Sequence, residues 1–244
     1  MKAATALCQL SQFTVQRGGR TVLHTVNLAV NAGDRLAVVG PNGGGKTTLL
    51  RALQGLPGAV SGTRVGLPPR QVGMLFQRPS IFRFSTLQHV ALAAWLNGHA
   101  WSTAKARAQQ ALVQVGLGDL VERPGLHLSG GQQQRLALAC TWVREPTVLL
   151  LDEPTANLDP KASKDLERLL ADMHLPSAAP RLHPPQAFVF SSHQMAQVRR
   201  LANRVVYVQG GHILADMPVQ DFFDPTQLSA VSPDAALFLN QEIV

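Results

Sequence analysis

The sequence predicts an α/β fold whose mostly parallel sheet points the carboxyl ends of its strands at a shared ligand. Three strand endings carry that expectation. The apolar run Leu36–Val39 feeds directly into the glycine-rich loop Gly40–Thr48. The stretch Thr147–Leu151, apolar or β-branched throughout, closes on two carboxylates, Asp152 and Glu153. Ala187–Phe190 is apolar and closes on Ser191-Ser192-His193. Continuous apolar runs suit buried parallel strands, and ligands of open α/β sheets sit at the strands' carboxyl ends. The three endings are therefore expected to converge.

Composition sets the outer bounds. The chain has 244 residues, 45% hydrophobic and 15% charged, enough for a sizeable core in one large domain or two small ones. The net charge is +7 and the sequence pI about 10.2. Its positive residues are scattered rather than blocked, which reads as a solvated basic surface and not as a nucleic-acid footprint. Two cysteines, Cys8 and Cys140, imply no disulfide framework and fit a reducing compartment. The longest apolar runs, such as Val90–Leu96, are about a third of the ~20 residues a bilayer crossing needs. Met1-Lys2-Ala3-Ala4 opens with one charge, and the apolar run before Gln9 is too short for a signal-peptide core. A transport role would then need separate membrane subunits.

Taken in order, residues 5–39 read as short strands. Leu7, Leu10 and Phe13, then Val22, Leu23, Val26, Leu28 and Val30, form two apolar segments, with turns at Gly18-Gly19-Arg20 and Asn31–Asp34. This is an antiparallel β layer ahead of the glycine loop. In that loop, Gly40, Gly45, Lys46 and Thr47 fill the template G-x-x-x-x-G-K-[ST], with a strand before it and a helix, Thr47 to Gln54, after it. Glycines let backbone N–H groups turn inward around a phosphate chain. The helix start adds unpaired donors and partial positive charge. Lys46 is a point charge for the β- and γ-phosphates, and Thr47 offers a hydroxyl to Mg²⁺.

Gly55–Arg70, rich in Gly and Pro, reads as a connector with one short strand at most. Val72–Phe76 is a core strand ending at Gln77. Helical periodicity follows in Thr86–Asn97 and Ser102–Val115, and Trp95 and Trp101 are expected to be packing residues. Leu128–Gln132 opens a helix that runs to Val143 and stops before Pro146. Pro160–His174 is helical, with Pro160 near its start. Pro176–Pro185 reads as an irregular surface loop. Helix Gln194–Ala202, strands Arg204–Val208 and His212–Asp216, and one or two short helices after Pro218 complete the chain.

These motifs resemble, in order and over nearly the whole chain, those of the ATP-binding cassette (ABC) ATPases that drive membrane transporters. Gly40–Thr47 matches the Walker A loop and Gln77 the Q-loop glutamine. LSGGQ at Leu128–Gln132 matches the family signature. Val148–Asp152 with Glu153 matches the Walker B strand and catalytic glutamate. Asn157-Leu158-Asp159 matches the D-loop, and His193 the switch histidine. The resemblance implies a P-loop NTPase (RecA-like) core sheet with an N-terminal antiparallel β layer and a helical subdomain, all in one domain over 1–244. The core would comprise 1–77 and 144–244, and the helical subdomain 78–143.

The resemblance also implies a site. Glu153, His193 and Gln77 would be catalytic. Gly40, Pro41, Asn42, Gly43, Gly44, Gly45, Lys46, Thr47, Thr48, Arg17, Ser129, Gly130, Gly131, Gln132 and Asp159 would contact ATP. Thr47, Gln77 and Asp152 would hold Mg²⁺. Glu153 would accept a proton from the attacking water, a role whose loss costs about 10²–10⁴-fold in rate. Ser129-Gly130-Gly131 forms a second anion site at a helix start, which one nucleotide does not need from one chain. The family's resolution is a head-to-tail homodimer in which the signature of one copy closes on ATP held by the other.

Four departures from the family pattern stand out. Arg17 occupies the place of an adenine-stacking aromatic, with Phe13 further back, and a guanidinium can also stack on a base. Cys140 stands where an arginine is usual, and Met217 where a glycine is. Pro176–Pro185 lengthens the spacing between Glu153 and His193.

The segment between Gln77 and Ser129 has no room for the long coiled coils of DNA-repair relatives, and there is a single cassette. What remains is a subunit that pairs with itself on a separate integral membrane permease, peripheral to the cytoplasmic face of the inner membrane. An extracytoplasmic substrate-binding protein would complete the complex, and no nucleic acid is expected. Ile81 and Phe82, just after Gln77, suit either a permease contact or a core position. FQRPSIFRFS (Phe76–Ser85) and ALFLNQEIV (Ala236–Val244) look like the ATPase subunits of bacterial tungstate importers and their oxyanion-importing relatives. Two other readings predict different observations. A soluble ABC ATPase of the iron–sulfur assembly type would be found in a cytosolic complex. A nucleic-acid-binding ATPase would show DNA- or RNA-stimulated hydrolysis and steep salt dependence.

Overall fold

The first two strands, β1 (Ala6–Arg17) and β2 (Arg20–Asn31), form an antiparallel hairpin turned by Gly18 and Gly19. Both glycines have positive φ (55° and 76°), the backbone that a two-residue hairpin turn demands. The computed structural model of the chain describes residues 6–55, 58–173 and 182–243. Two sequence readings, on Met1–Ala4 and on most of Pro176–Pro185, fall outside them. The apolar spacing along β1 is explained by a bulge. Leu10 and Phe13 are three apart yet both buried, because Gln12 takes φ 50° and its N–H leaves the ladder for Asn27 Oδ1 at 2.9 Å.

The connector after residue 58 contains the one strand that the sequence reading allowed, and it is longer than expected. This eight-residue strand, β4 (Ala59–Gly66), is almost wholly solvent-exposed and pairs antiparallel with β1 to give the order β2-β1-β4. Backbone pairing to β1, not side-chain burial, orders this strand, so it leaves no apolar pattern to read.

The other elements are β3 (Arg35–Val39), α1 (Lys46–Gln54), β5 (Val72–Leu75), α2 (Thr86–Leu96), α3 (Trp101–Gln114), α4 (Gly130–Trp142), β6 (Val148–Leu151) and α5 (Pro160–Asp172). They continue with β7 (Ala187–Ser191), α6 (Met195–Leu201), β8 (Arg204–Gln209), β9 (His212–Pro218), α7 (Val219–Phe222), α8 (Pro225–Val231) and α9 (Pro233–Ile243).

The described residues fall into two compact units. The first draws on Met1–Val72, Val148–Glu153 and Gln186–Val244; the second on Gly73–Thr147 and Pro154–Pro185. Pro154–Pro185, with α5, therefore groups with the helices, whereas the sequence reading placed it with the nucleotide core.

In the first unit strands run in the order β6-β7-β3-β8-β9, parallel except for β9. Every residue of β6 and β7 is buried. Both faces are covered, as unbroken apolar sequence requires. In the second unit α2, α3 and α4 pack through small residues: Ala91 and Ala94, Ala104, Ala108 and Ala111, and Ala139 are all buried. Capping boxes start two of these helices, Ser85 with Gln88 and Ser129 with Gln132. Trp95 and Trp101 correct the expectation that they pack inside: they are 50% and 43% exposed. Buried small residues already fill the helix contact, which leaves both indoles on the outside. Cys8 and Cys140 are free, as expected, and burial pushes the Cys140 thiol up to about 12. Among the described residues no helix is long and apolar enough to cross a membrane.

Candidate functional site

The glycine loop leaves the buried end of β3 and is shaped by close backbone contacts. At Gly40, φ is 140° and a Cβ would lie 2.0 Å from the Val208 carbonyl oxygen, so only glycine fits. Gly45, with φ 113°, is the N-cap of α1 and offers no side-chain cap, and the first turn carries no acidic residue. The helix start therefore keeps its unpaired N–H groups and its positive end for an anion. The loop is tied at one more point, where the Gly211 N–H donates to Gly44 O at 2.9 Å. Pro41, Asn42 and Gly43 are exposed, and Gly44, Gly45, Lys46 and Thr48 are buried.

Lys46 spans the loop. Its Nζ donates to Gly40 O at 2.7 Å and to Pro41 O at 3.0 Å. Burial lowers its pKa from the ordinary lysine value, while Glu153, Asp152 and Glu242 act to hold the charge. Placing a cation among three carboxylates and several amide donors suits a ligand that is itself a multiply charged anion.

The carboxyl ends of β6 and β7 meet this loop through one chain of hydrogen bonds. Thr47 Oγ1 lies 3.0 and 2.8 Å from the two oxygens of Asp152. The Ser191 hydroxyl donates to Asp152 Oδ1 at 2.8 Å and accepts from the Glu153 N–H at 2.8 Å. Asp152 is 6% exposed and Ser191 fully buried. Glu153 takes φ 44°, a left-handed backbone that costs a non-glycine residue on the order of 1–3 kcal/mol. The turn directs its carboxylate toward His193, with Oε2 and Nδ1 3.8 Å apart; the His193 side chain is half-exposed. A half-buried carboxylate beside an exposed imidazole, one residue beyond a buried aspartate, can accept a proton from a water and hold the product anion nearby.

The first unit thus brings together Gly40–Thr48, Asp152, Glu153 and His193, as the three strand endings predicted. Arg17 lies in the same unit, exposed at the β1–β2 turn, whereas Phe13 is 5% exposed and cannot stack on a base. The other candidates belong to the second unit. Gln77 is exposed just beyond β5. Ser129 caps α4, its N–H donating to Gln132 Oε1 at 2.9 Å and its hydroxyl accepting from the Gln132 N–H at 3.4 Å. Gly130 and Gly131 begin that helix, and a Cβ at Gly131 would lie 2.7 Å from Ala162 Cβ. Asp159 caps α5, with Oδ1 accepting from the Lys161 and Ala162 N–H groups at 3.0 and 2.9 Å. Sequence reasoning placed Ser191 at a converging strand end but gave it no role of its own. Its signal was a hydroxyl closing an otherwise apolar strand.

A magnesium ion fits the donors present. Thr47 and Asp152 offer hard oxygens; they are bonded to each other, and Asp152 is held in addition by Ser191. Among the described residues no group of three or more His, Cys, Asp and Glu side chains forms a metal cage. Mg²⁺ is normally held by one or two protein oxygens together with substrate phosphates and water, so the set is of the right kind.

Residues 23–156 match the ABC transporter family. The chain belongs to that family. It is an ATP-binding cassette ATPase with a P-loop α/β core. Similar proteins include the nickel import ATP-binding protein NikO of Rhodobacter capsulatus, 35% identical over 86% of this chain and 88% of that one. The tungstate uptake ATP-binding protein TupC of Peptoclostridium acidaminophilum is 34% identical over 80% of this chain and 91% of its own. Sulfate/thiosulfate import protein CysA of Synechococcus elongatus is 34% identical over 84% of this chain, which spans 60% of that protein's length. Among solved structures, cbiO1 of Clostridium perfringens, part of an ABC transporter complex, superposes with a TM-score of 0.78 at 24% identity, over 96% of this chain and 99% of that one.

Proposed function

We propose that this cassette is the ATP-hydrolysing subunit of a bacterial importer and works as a head-to-tail homodimer on a separate permease at the cytoplasmic face of the inner membrane. The observation that carries the reading is the unbroken line of hydrogen bonds from Thr47 through Asp152 and Ser191 to Glu153, beside a lysine-spanned glycine loop. Lys46 and the loop N–H groups bind the β- and γ-phosphates. Thr47 and Asp152 hold Mg²⁺, with Gln77 carried over on its motif alone. Bound magnesium supplies charge neutralisation on the phosphates. Glu153 takes the proton of the attacking water, and His193 contacts the γ-phosphate. Ser129–Gln132 and Asp159 of a second copy close the site, so ATP favours the closed dimer and hydrolysis releases it.

The cargo we propose is an inorganic oxyanion such as tungstate, brought to the permease by an extracytoplasmic binding protein. Relatives named for tungstate and for sulfate/thiosulfate support the class. The nickel relative favours a second reading, a transition-metal cargo. The cargo never touches this subunit, so the cell must be asked. With Lys46→Ala introduced in the encoding organism and trace metals limiting, elemental mass spectrometry is expected to show a selective fall in tungsten, with or without molybdenum. A selective fall in nickel would replace the cargo, and no change in any element would remove both inorganic cargoes and point to an organic cargo, an exporter or a soluble complex.

A further inference from the structure

The loop after Gln77 carries Phe82 and Phe84 at its tip, 57% and 43% exposed. One buried side chain holds that loop. His89, in α2, is 7% exposed. Its Nε2 lies 2.9 Å from the Phe82 backbone N, and its Nδ1 2.9 Å from Ser85 O. A backbone N–H can only donate and a carbonyl can only accept. Nε2 must therefore be the bare nitrogen and Nδ1 the protonated one. Both ring nitrogens are committed, and the rings of Phe82 and Phe84 lie 6.1 and 5.7 Å from the imidazole.

The same loop is stitched to the strap Leu120–Leu128 that runs into the signature. Gly125 N–H donates to Phe84 O at 2.9 Å, Thr86 N–H to Arg123 O at 3.0 Å and Leu87 N–H to Val121 O at 2.9 Å. The Thr86 hydroxyl adds a bond to Val121 O at 2.8 Å. Gly125 packs directly on the clamp, since a Cβ there would come within 2.9 Å of His89 Cε1. Three residues beyond Gly125 the strap reaches Leu128 and then Ser129, the cap of α4.

We propose that His89 is a positioning residue that locks the aromatic tip and the strap into one piece, so that a load on Phe82 and Phe84 is delivered to Ser129. The load would come from the permease, and in that respect the inference rests on the functional reading above. The clamp itself does not. Coupling of this kind needs a contiguous element that moves as a unit, and each link here is a direct hydrogen bond or a packed contact.

The test uses the full chain and three variants. His89→Phe keeps the ring volume and loses both hydrogen bonds. His89→Gln can return an acceptor to the Phe82 N–H. Gly125→Ala pushes on the clamp from the strap side. By hydrogen exchange, His89→Phe is expected to speed the Phe82 and Gly125 amides about tenfold while Leu49 and Ser192 in the first unit hold their rates. Its kcat for ATP should fall about fivefold with KM unchanged, and His89→Gln should recover much of both effects. Gly125→Ala should reproduce the Phe82 exchange even if His89→Phe does not fold. Faster exchange at Phe82 with Gly125 unaffected would overturn the proposal. So would a parallel loss of kcat and ATP affinity, or a failure of His89→Gln to restore either. If the wild-type chain hydrolysed no ATP, the functional reading would fall, while the Gly125 amide would still decide the clamp.

Discussion

The two units present their candidate phosphate-binding groups in different ways. In the first, side chains join the backbone donors of the glycine loop: Thr47, Asp152, Ser191 and Glu153 are linked through hydrogen bonds, and Lys46 is held by the Gly40 carbonyl. In the second, the signature offers backbone. The Ser129 hydroxyl and the Gln132 amide are spent on each other in a capping box, leaving N–H groups at the start of α4. Surfaces differ as well. Phe76, Phe82, Phe84, Trp95 and Trp101, the strongly exposed aromatics among the described residues, all belong to the second unit. The first unit gathers interlinked polar side chains, and the second exposes aromatic ones. Exposed aromatic clusters mark contact surfaces, which fits a permease partner for the second unit.

That contrast can be broken by substitution. The largest effect is expected in the first unit. Glu153→Gln keeps size and hydrogen bonding and removes the proton acceptor, so hydrolysis should fall about 10²–10⁴-fold. Bound ATP should persist and the dimer should survive size-exclusion chromatography. Wild-type turnover in this variant would sink the assignment of the base. Next comes Gly131→Val in the second unit. Its Cβ would meet Ala162 and displace the helix start, and a misplacement of about 1 Å can cost about 10²-fold in kcat.

Ser191→Ala breaks the link between Asp152 and the Glu153 backbone. Loss of such supporting groups typically costs about 10–100-fold, read as weaker Mg²⁺ dependence and slower turnover. The smallest effect should be Ser129→Ala, which removes a cap worth about 1 kcal/mol and should lower the melting temperature a little and the rate a few-fold. If Ser129→Ala proved as damaging as Gly131→Val, the signature would act through its side chain and the contrast would fail.

Much of the first unit was legible in the sequence because its motifs are local. A glycine loop between a strand and a helix, and carboxylates closing an apolar run, follow from backbone sterics and burial within a few residues. What depended on distant partners was not legible. β4 is ordered by pairing with β1, which requires no apolar pattern in β4 itself. Ser191 matters because it reaches Asp152, 39 residues away in the chain. Trp95 and Trp101 read as core because helical periodicity reveals an apolar stripe but not what covers it. His89 carried no motif at all; its significance lies in the two backbone groups that happen to meet its ring.

The left-handed turn at Glu153 has a consequence for how the protein can be improved. Glycine would adopt that backbone without penalty and would also remove one of two adjacent carboxylates. Glu153→Gly should therefore raise the melting temperature, by relief on the order of 1 kcal/mol, while abolishing turnover. A selection for thermal endurance alone would drift toward an inert cassette. If Glu153 is the base, the strained backbone at position 153 persists for the sake of the carboxylate it carries.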